Sequence, residues 1–363
     1  MESTANEDVS SDITDGYLKY SRRKILFLLL MAVLLLALCL FTIRLGAAGL
    51  TYGEILHYML HPDDSWNSTV VWRLRLPRVV AAILAGAALG IAGAVMQGIL
   101  RNPMASPFTL GLSNAAAFGA AIGIMFLGGG TVVRTTNAYV TVSEPMIVTM
   151  SAFGFAMIAT GIVLILSRAI NTSPETIVLA GMAISAIFSA GLAFLQYVAD
   201  DAALASIVFW QFGSLDKVNW DQLKIIFAVL LIITIYFFWK RWDYNAMEAG
   251  EDVAKGLGVK VQRTMIIGLI LSAMLTSFVV SFMGIIGFIG LIGPHMVKRV
   301  IGNDFRYLLA GSMLLGALVL LLSYVVGTYS MEMAVPVGII TSAIGGPTFI
   351  YILIRGRSKR CSV

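Results

Sequence analysis

The sequence predicts an all-α, polytopic membrane protein of about ten transmembrane helices with both termini on the cytoplasmic side. Composition, the succession of apolar runs and the distribution of basic residues support this prediction. Hydrophobic residues make up 58% of the 363 residues, charged residues 12%, and the mean hydropathy is +0.88. A soluble fold has no core that could bury so much apolar surface. At about 20 residues per helix, the length allows on the order of ten spans.

Ten apolar runs follow one another along the chain. They cover residues 25–43, 79–99, 108–128, 145–167, 176–199, 222–239, 264–283, 286–297, 307–331 and 335–354. The eighth run is short and rich in glycine, so it is either a span buried in protein or a re-entrant segment. The polar, acidic start predicts a disordered cytoplasmic tail over 1–24, followed by a transmembrane domain over 25–355 and a second cytoplasmic tail over 356–363.

Basic residues set the predicted orientation. With a cytoplasmic N-terminus and alternating spans, seven of the 25 basic residues lie outside: Arg44, Arg73, Arg75, Arg78, Arg134, Lys217 and Lys224. The others lie inside, as the positive-inside rule expects, whereas nine spans would put the basic tail at 355–360 outside. The net charge of +5 is therefore a topology signal, and no nucleic-acid partner is expected.

The apolar runs lack the groups that several membrane functions need. Their interiors carry no Asp, Glu, Lys or Arg, which disfavours an ion-coupled secondary transporter. A membrane-embedded enzyme is disfavoured because the three histidines, His57, His61 and His295, do not converge with acids or cysteines at membrane depth. No G-x-x-x-x-G-K-[ST] loop is present, so energy from ATP must come from another polypeptide. His57 and His61, four apart and followed by Asp63 and Asp64, could form a surface metal site, but a solvated outer loop is favoured, so no cofactor or metal is expected.

Three stretches interrupt the apolar background. The first begins with Arg75-Leu76-Pro77-Arg78 and continues into a helix whose Gly86, Gly90 and Gly93 allow close helix approach. The third, residues 284–299, contains four glycines and a proline before Lys298, which suggests an irregular helix packed against neighbours.

The second stretch is the cytoplasmic loop 240–263. Within it, residues 246–258 predict one short helix that is acidic at its start and ends at glycine. One face carries Met247, Gly250, Val253, Ala254 and Leu257. From spacing alone, this helix is either a connector lying on the bilayer or a docking element for a partner.

Together these stretches resemble the FecCD-type permease subunits of ABC importers, which take up iron-siderophore, haem and vitamin B12 complexes. The resemblance runs from about residue 75 to 355. It is carried by ordered motifs: R-L-P-R (75–78), G-A-A-L-G-I-A-G (86–93), R-N-P-M-A-S-P (101–107), L-G-L-S-N-A-A (110–116), L-A-G-M-A-I-S (179–185), W-x-x-G-S-L (210–215), G-E-D-V-A-K-G-L-G-V (250–259), G-F-I-G-L-I-G-P-H (287–295) and P-V-G-I-I-T-S-A-I-G-G-P-T-F (336–349).

The resemblance implies partners, a localisation and residue roles. Two permease copies would line a central pathway of the type II importer kind in a bacterial cell membrane. Two cytoplasmic ATPases would drive it, and an external substrate-binding protein would deliver an iron-siderophore or, as an alternative, haem or cobalamin. The implied positions are Arg75 and Arg78 for binding-protein docking; Met247, Glu248, Gly250, Glu251, Val253, Ala254, Leu257 and Gly258 for ATPase coupling; and Asn102, Met104, Thr172 and Ser173 for the cytoplasmic gate.

The chain departs from the family pattern near its last predicted helix. Ala334 stands where the family commonly has an acid before P-V-G, and Gly327 and Thr328 occupy the region of a family arginine, while Glu332 lies close by. A third docking contact at the outer mouth is therefore left open.

Overall fold

The computed structural model describes residues 2–46, 48–129, 131–132, 140–141, 144–169, 174–329 and 333–358. Fifteen α-helices are present in this part of the chain, so the all-α prediction is confirmed. They are α1 (Glu2–Arg44), α2 (Tyr52–Leu60), α3 (Trp66–Thr69), α4 (Leu76–Ile99), α5 (Leu112–Met125), α6 (Pro145–Ala169), α7 (Pro174–Val198), α8 (Asp201–Gln211), α9 (Trp220–Trp239), α10 (Arg241–Ala249), α11 (Glu251–Gly256), α12 (Val261–Met283), α13 (Ile289–Ile301), α14 (Phe305–Tyr329) and α15 (Val337–Ser358).

Smaller elements complete the described fold. A π-helical segment, Val70–Arg75, joins α3 to α4, and a 3-10 turn, Pro107–Leu110, precedes α5. Two-residue strands, β1 (Thr131–Val132) and β2 (Val140–Thr141), pair antiparallel, with Thr131 opposite Thr141.

Every predicted apolar run coincides with a helix. Within the described residues, seven helical segments are long and apolar enough to cross a membrane, and Leu112–Met125 and Val337–Tyr351 are shorter apolar helices. The eighth run forms α13, which has only 13 residues. The number of spans and the side of each terminus stay predictions.

The N-terminal segment differs from its prediction. We expected a disordered tail over 1–24, whereas α1 begins at Glu2 and continues without a break into the apolar run. No proline interrupts these residues, so the hydrogen bonds of the apolar helix can propagate backwards through the polar segment.

Helix α4 lies at the centre of the fold and is buried along almost its whole length. The close approach predicted from its glycines is confirmed. A Cβ on Gly86 would lie 2.6 Å from the Cα of Ala317 in α14, and one on Gly93 would lie 2.8 Å from the Cα of Gly290 in α13. Small residues thus let three helix backbones touch, as is common where membrane helices pack.

The end that the charge distribution predicts to be outside carries short helices that the periodicity did not predict. Residues 52–60 form α2, which begins with a capping box between Thr51 and Glu54. Helix α8 follows α7 directly, with Asp200 accepting a hydrogen bond from the backbone N–H of Ala203 at its start.

Candidate coupling, gate and docking sites

The coupling segment is two short helices rather than the single helix predicted. Helix α10 ends at Ala249 and α11 begins at Glu251, because Gly250 between them has φ +135° and ψ 151°. Only glycine adopts that conformation readily. The face predicted to unite five residues is therefore divided between two helix axes.

The predicted coupling residues fall into two groups. Met247 and Ala254 are buried and anchor α10 and α11 to the helices behind them. Glu251, Val253, Leu257 and Gly258 are exposed, with Leu257 70% exposed. An exposed leucine and valine beside carboxylates form a surface that a partner protein can cover.

Glu248 belongs to neither group, because its side chain links α10 to residues at the end of α13 and in the turn that follows it. Its Oε1 accepts a hydrogen bond of 2.7 Å from the Asn303 amide and lies 3.8 Å from Lys298 Nζ. The turn between α13 and α14 is thus tied to the end of α10.

A second set of contacts lies one helical turn earlier in α10 and involves Asp304, the residue before α14. Asn245 of α10 accepts a 2.8 Å hydrogen bond from the backbone N–H of Phe305 and donates one of 3.3 Å to Asp304. Asp304 also accepts hydrogen bonds from Arg306, and the buried Lys24 of α1 lies 3.6 Å away. We call Lys24, Asn245, Asp304 and Arg306 the inner hub. It joins α1, α10 and α14.

The ionisation of Asp304 reflects this environment. Burial disfavours the charged carboxylate and is the largest single influence. Hydrogen bonds from the Arg306 side chain and backbone and from the Asn245 amide, together with the Arg306 charge, outweigh it and lower the pKa of Asp304 to about 2. The carboxylate is therefore charged at neutral pH, and the hub is an ionic contact.

Aromatic packing extends from the hub toward α4. Tyr244 of α10 and Phe305 of α14 are both fully buried, and their ring centroids are 5.5 Å apart. The Phe305 ring lies directly on Gly98, where a Cβ would be 2.9 Å from one ring carbon. A continuous line of contacts thus runs from α10 through Phe305 to the end of α4.

The predicted gate turn follows that end of α4 directly. Asn102 Oδ1 accepts a 2.9 Å hydrogen bond from the backbone N–H of Met104, which closes a tight turn, and the Met104 side chain is exposed. Gln97, just before the turn, donates a 3.1 Å hydrogen bond to the carbonyl of Leu291 in α13. The other two predicted gate residues, Thr172 and Ser173, lie outside the described residues.

The two predicted docking arginines have different environments. Arg75 is only 7% exposed, and its Nη1 donates hydrogen bonds of 2.8 and 3.3 Å to the carbonyls of Ile43 and Arg44 at the end of α1. Arg78 is partly exposed, and its Nε lies 2.6 Å from Asp216 Oδ1. This placement favours a structural role for Arg75 and leaves Arg78 as the accessible one. Glu332 lies outside the described residues.

Two of the sequence motifs, 210–215 and 336–349, meet the start of the glycine-rich stretch 284–299 at one cleft. Gly213 and Gly284 have φ of +67° and +77°, and a Cβ on Gly284 would lie 3.0 Å from the Cα of Gly213. Beside them a cleft of about 450 Å³ is lined by Gln211, Phe212, Ile285, Gly338, Ile339, Ser342 and Ala343. None of these lining residues is charged. Sequence reasoning missed Gln211 and Ser342, although polar side chains near the ends of apolar helices were the available signal.

Comparison with known proteins identifies the class of this membrane protein. The profile of the FecCD transport family matches residues 34–355. The chain is 42% identical over 345 residues to MJ0087 of Methanocaldococcus jannaschii, an ABC transporter permease by its name alone, with 95% of this chain and 98% of that protein covered. It is 33% identical over 330 residues to the hemin transport permease HmuU of Yersinia pestis, with 90% and 95% covered.

A solved structure agrees with these sequence relationships. A metal-chelate type ABC transporter in an inward-facing conformation matches with a TM-score of 0.78 and 29% identity, over 90% of this chain and 98% of that one. The fold and its arrangement of motifs define a multi-pass cell-membrane permease of an ABC importer. This chain belongs to the FecCD transport family. Permeases of this kind work with separate ATPase subunits and a substrate-binding protein, so ATP hydrolysis belongs to a partner.

Proposed function

We propose that this permease moves a metal chelate, an iron-siderophore, into the cytoplasm by alternating access. Two copies form the pathway, two ATPases drive it, and an external binding protein supplies the cargo. The names of the relatives support the class of cargo, since they include a Fe(3+)-citrate permease of Bacillus subtilis that is 32% identical over 333 residues. The bacterial origin of the membrane also stays a proposal, because MJ0087 comes from an archaeon.

The single observation that carries the mechanism is the line of contacts from the coupling segment to the gate turn. Helix α10 is fixed to α14 at the inner hub, and Glu248 fixes it to the turn between α13 and α14. Phe305 of α14 rests on Gly98, four residues before Asn102. Movement of α10 is therefore passed to the end of α4 through packed side chains, without any change within the spans themselves.

The neutral cleft supports a chelate as cargo rather than a bare cation. A free metal ion that sheds its water needs carboxylate, imidazole or several oxygen ligands. The cleft offers Gln211 and Ser342 among apolar side chains and backbone. A chelate brings its own ligands and presents a mainly organic surface, so neutral walls suffice for it. In the dimer we assign this cleft to the wall of the pathway.

Haem and cobalamin remain the alternative cargo. Both are large, metal-containing organic molecules that the same neutral wall would accommodate, and HmuU, the hemin permease, is the relative that favours haem. Binding measurements on the cognate binding protein distinguish these cargoes. An ion-coupled secondary transporter is the less favoured class, because its mechanism needs ionisable groups within the spans.

Substitution of Leu257 tests the coupling role. In the proposed complex the exposed Leu257 side chain is covered by the ATPase, so Leu257→Asp places a charge in an apolar contact. We expect loss of ATPase co-purification and of ATP-driven uptake, with normal membrane insertion. Leu60→Asp is the matched control, because Leu60 is 66% exposed in α2 at the opposite end of the molecule. Unchanged ATPase association in Leu257→Asp would refute the coupling assignment.

A further inference from the structure

A basic cleft lies where α9 ends and α12 begins. Its volume is about 510 Å³, and its lining includes Trp239, Lys240, Asp243, Lys260 and Arg263. It is distinct from the neutral cleft at Gln211. The coupling residues Leu257 and Gly258 also line it, so the cleft adjoins the coupling surface, whereas the neutral cleft and the inner hub share no residue with it.

The charges of this basic cleft do not cancel. Lys240 Nζ lies 2.7 Å from Asp243 Oδ2, so these two residues form an internal ion pair. Lys260 and Arg263 are both exposed, and no carboxylate contacts either of them among the residues that the structure describes. The cleft therefore has two positive charges available for an anion.

Its depth relative to the membrane follows from the adjoining helices. Trp220–Trp239 and Val261–Met283 are both candidate spans, and the cleft lies at the end of the first and the start of the second. Polar groups at the ends of apolar spans lie at the level of lipid headgroups. Trp239, which is 69% exposed, has the position of an interfacial aromatic residue.

An apolar strip leads from the membrane to the cleft. Ile232, Ile235 and Trp239 are exposed, and their spacing places them along one face of α9. Acyl chains can lie against this strip while a headgroup enters the cleft. A headgroup phosphate would then lie near Lys260 and Arg263.

We propose that this cleft binds the headgroup of an anionic phospholipid. Basic pockets between helices at the membrane surface recognise such headgroups by charge and hydrogen bonding. A free phosphate would use the same two charges but would leave the apolar strip uncovered. An acidic segment of a partner protein is disfavoured because the strip continues the lipid-facing side of α9.

Lipid retention tests the proposal without any need for transport. The full chain is reconstituted in nanodiscs that contain equal amounts of phosphatidylglycerol and phosphatidylcholine, and bound lipids are counted by native mass spectrometry after release. Wild-type protein should retain phosphatidylglycerol preferentially. Lys260→Gln with Arg263→Gln should weaken its retention by about 25-fold, since each basic side chain near an anionic surface contributes roughly fivefold.

Matched variants separate a specific site from bulk charge. Arg22→Gln with Arg23→Gln removes two exposed charges elsewhere on the chain and should leave retention unchanged. Lys260→Arg with Arg263→Lys keeps both charges and should also retain the lipid. An equal loss in the Arg22 and Arg23 variant, or no loss in the Lys260 and Arg263 variant, would overturn the proposal.

Two further outcomes would reassign the cleft. Displacement of phosphatidylglycerol by millimolar inorganic phosphate would show a free-anion site, because a lipid held by the apolar strip resists that competitor. Loss of ATPase co-purification with unchanged lipid retention would show a protein contact. Because lipid retention is measured without the ATPase, failure here leaves the proposed transport function standing.

Discussion

The predicted outer and inner ends of this permease differ in how their side chains contact the helix backbone. At the outer end, Arg75 donates to carbonyls at the end of α1, and Trp220 Nε1 donates a 2.8 Å hydrogen bond to the carbonyl of Trp72, while Arg78 pairs with Asp216. At the inner hub, Asp304 accepts side-chain hydrogen bonds from Asn245 and Arg306. Side-chain contacts to carbonyls fix where a helix ends, whereas contacts between side chains can exchange partners when a helix moves.

This difference assigns separate tasks to the two ends. The outer end keeps α1 and α4 in a fixed arrangement and leaves Arg78 partly exposed. In the proposed mechanism, the inner end transmits the position of α10 to α14 and α4. Substitutions should therefore lower stability at the outer end and uncouple transport at the inner end.

The largest effect is expected at Gly98, where the inner contacts meet α4. Gly98→Leu places a branched side chain where the Phe305 ring lies, and overpacking of this kind costs up to about 3 kcal/mol or displaces the ring. We expect ATP hydrolysis to continue while uptake is lost.

Gly161→Leu is the control for Gly98→Leu, because a Cβ on Gly161 meets no atom within 4 Å. Both changes add the same apolar volume to a helix. Equal uptake by the two variants would show that the Phe305 contact does not carry the coupling.

The next effect separates the two arginines at the outer end. Arg75→Met should lower stability in a thermal melt by about 2 kcal/mol, since charge-assisted hydrogen bonds to two carbonyls are lost. Arg78→Met should change stability by less than about 1 kcal/mol, because the Arg78–Asp216 pair is partly exposed.

The affinity of the permease for its binding protein also distinguishes Arg75 from Arg78. Arg78→Met should weaken docking, most clearly at low salt, where electrostatic association is strongest. Folded Arg75→Met protein should dock normally. If Arg75→Met keeps its stability but binds the binding protein more weakly, then Arg75 is a docking residue, as the family resemblance implies.

A smaller effect is expected at Gly250, between the two coupling helices. Gly250→Ala forces a Cβ into a conformation that non-glycine residues rarely adopt, which costs on the order of 1 kcal/mol or more locally. We expect weaker ATPase association with nearly normal thermal stability, measured on the same preparation. Gly256→Ala is the control, because it lies within helix α11 and its φ is not in the positive range.

The smallest effect is a pH dependence at the inner hub. Because the folded-state pKa of Asp304 is about 2, below its ordinary value of 3.8, the carboxylate stabilises the fold above about pH 4. This contribution is lost as pH falls through about 2. Wild-type protein should melt higher than Asp304→Asn at pH 7, and the difference should shrink at pH 3. A constant difference would contradict the ionic character of the hub.

Much of the fold could be predicted because apolar run length and glycine spacing are local signals. The apolar runs predicted the helices, and the spacing of Gly86, Gly90 and Gly93 predicted the close packing of α4. The short outer helices were missed because α2 has only 9 residues and α8 only 11, too few to span a membrane, and their starts depend on caps such as Thr51. The break at Gly250 was missed because helical spacing continues on both sides of it.

The candidate site could be predicted only in part. The family motifs implied where the coupling segment and the gate turn lie, and these assignments stay predictions, whereas Arg75 and Arg78 are indistinguishable in the motif and differ in burial. The inner hub joins residues as distant in the chain as Lys24 and Asp304. Such contacts depend on tertiary packing, which no local pattern encodes.

Reconstitution in liposomes tests the central claim most directly. The chain is inserted alone or together with its ATPase and binding protein, and uptake of a labelled iron chelate is followed with and without ATP. The account predicts uptake only when both partners and ATP are present. Uptake by the chain alone under an ion gradient would contradict it.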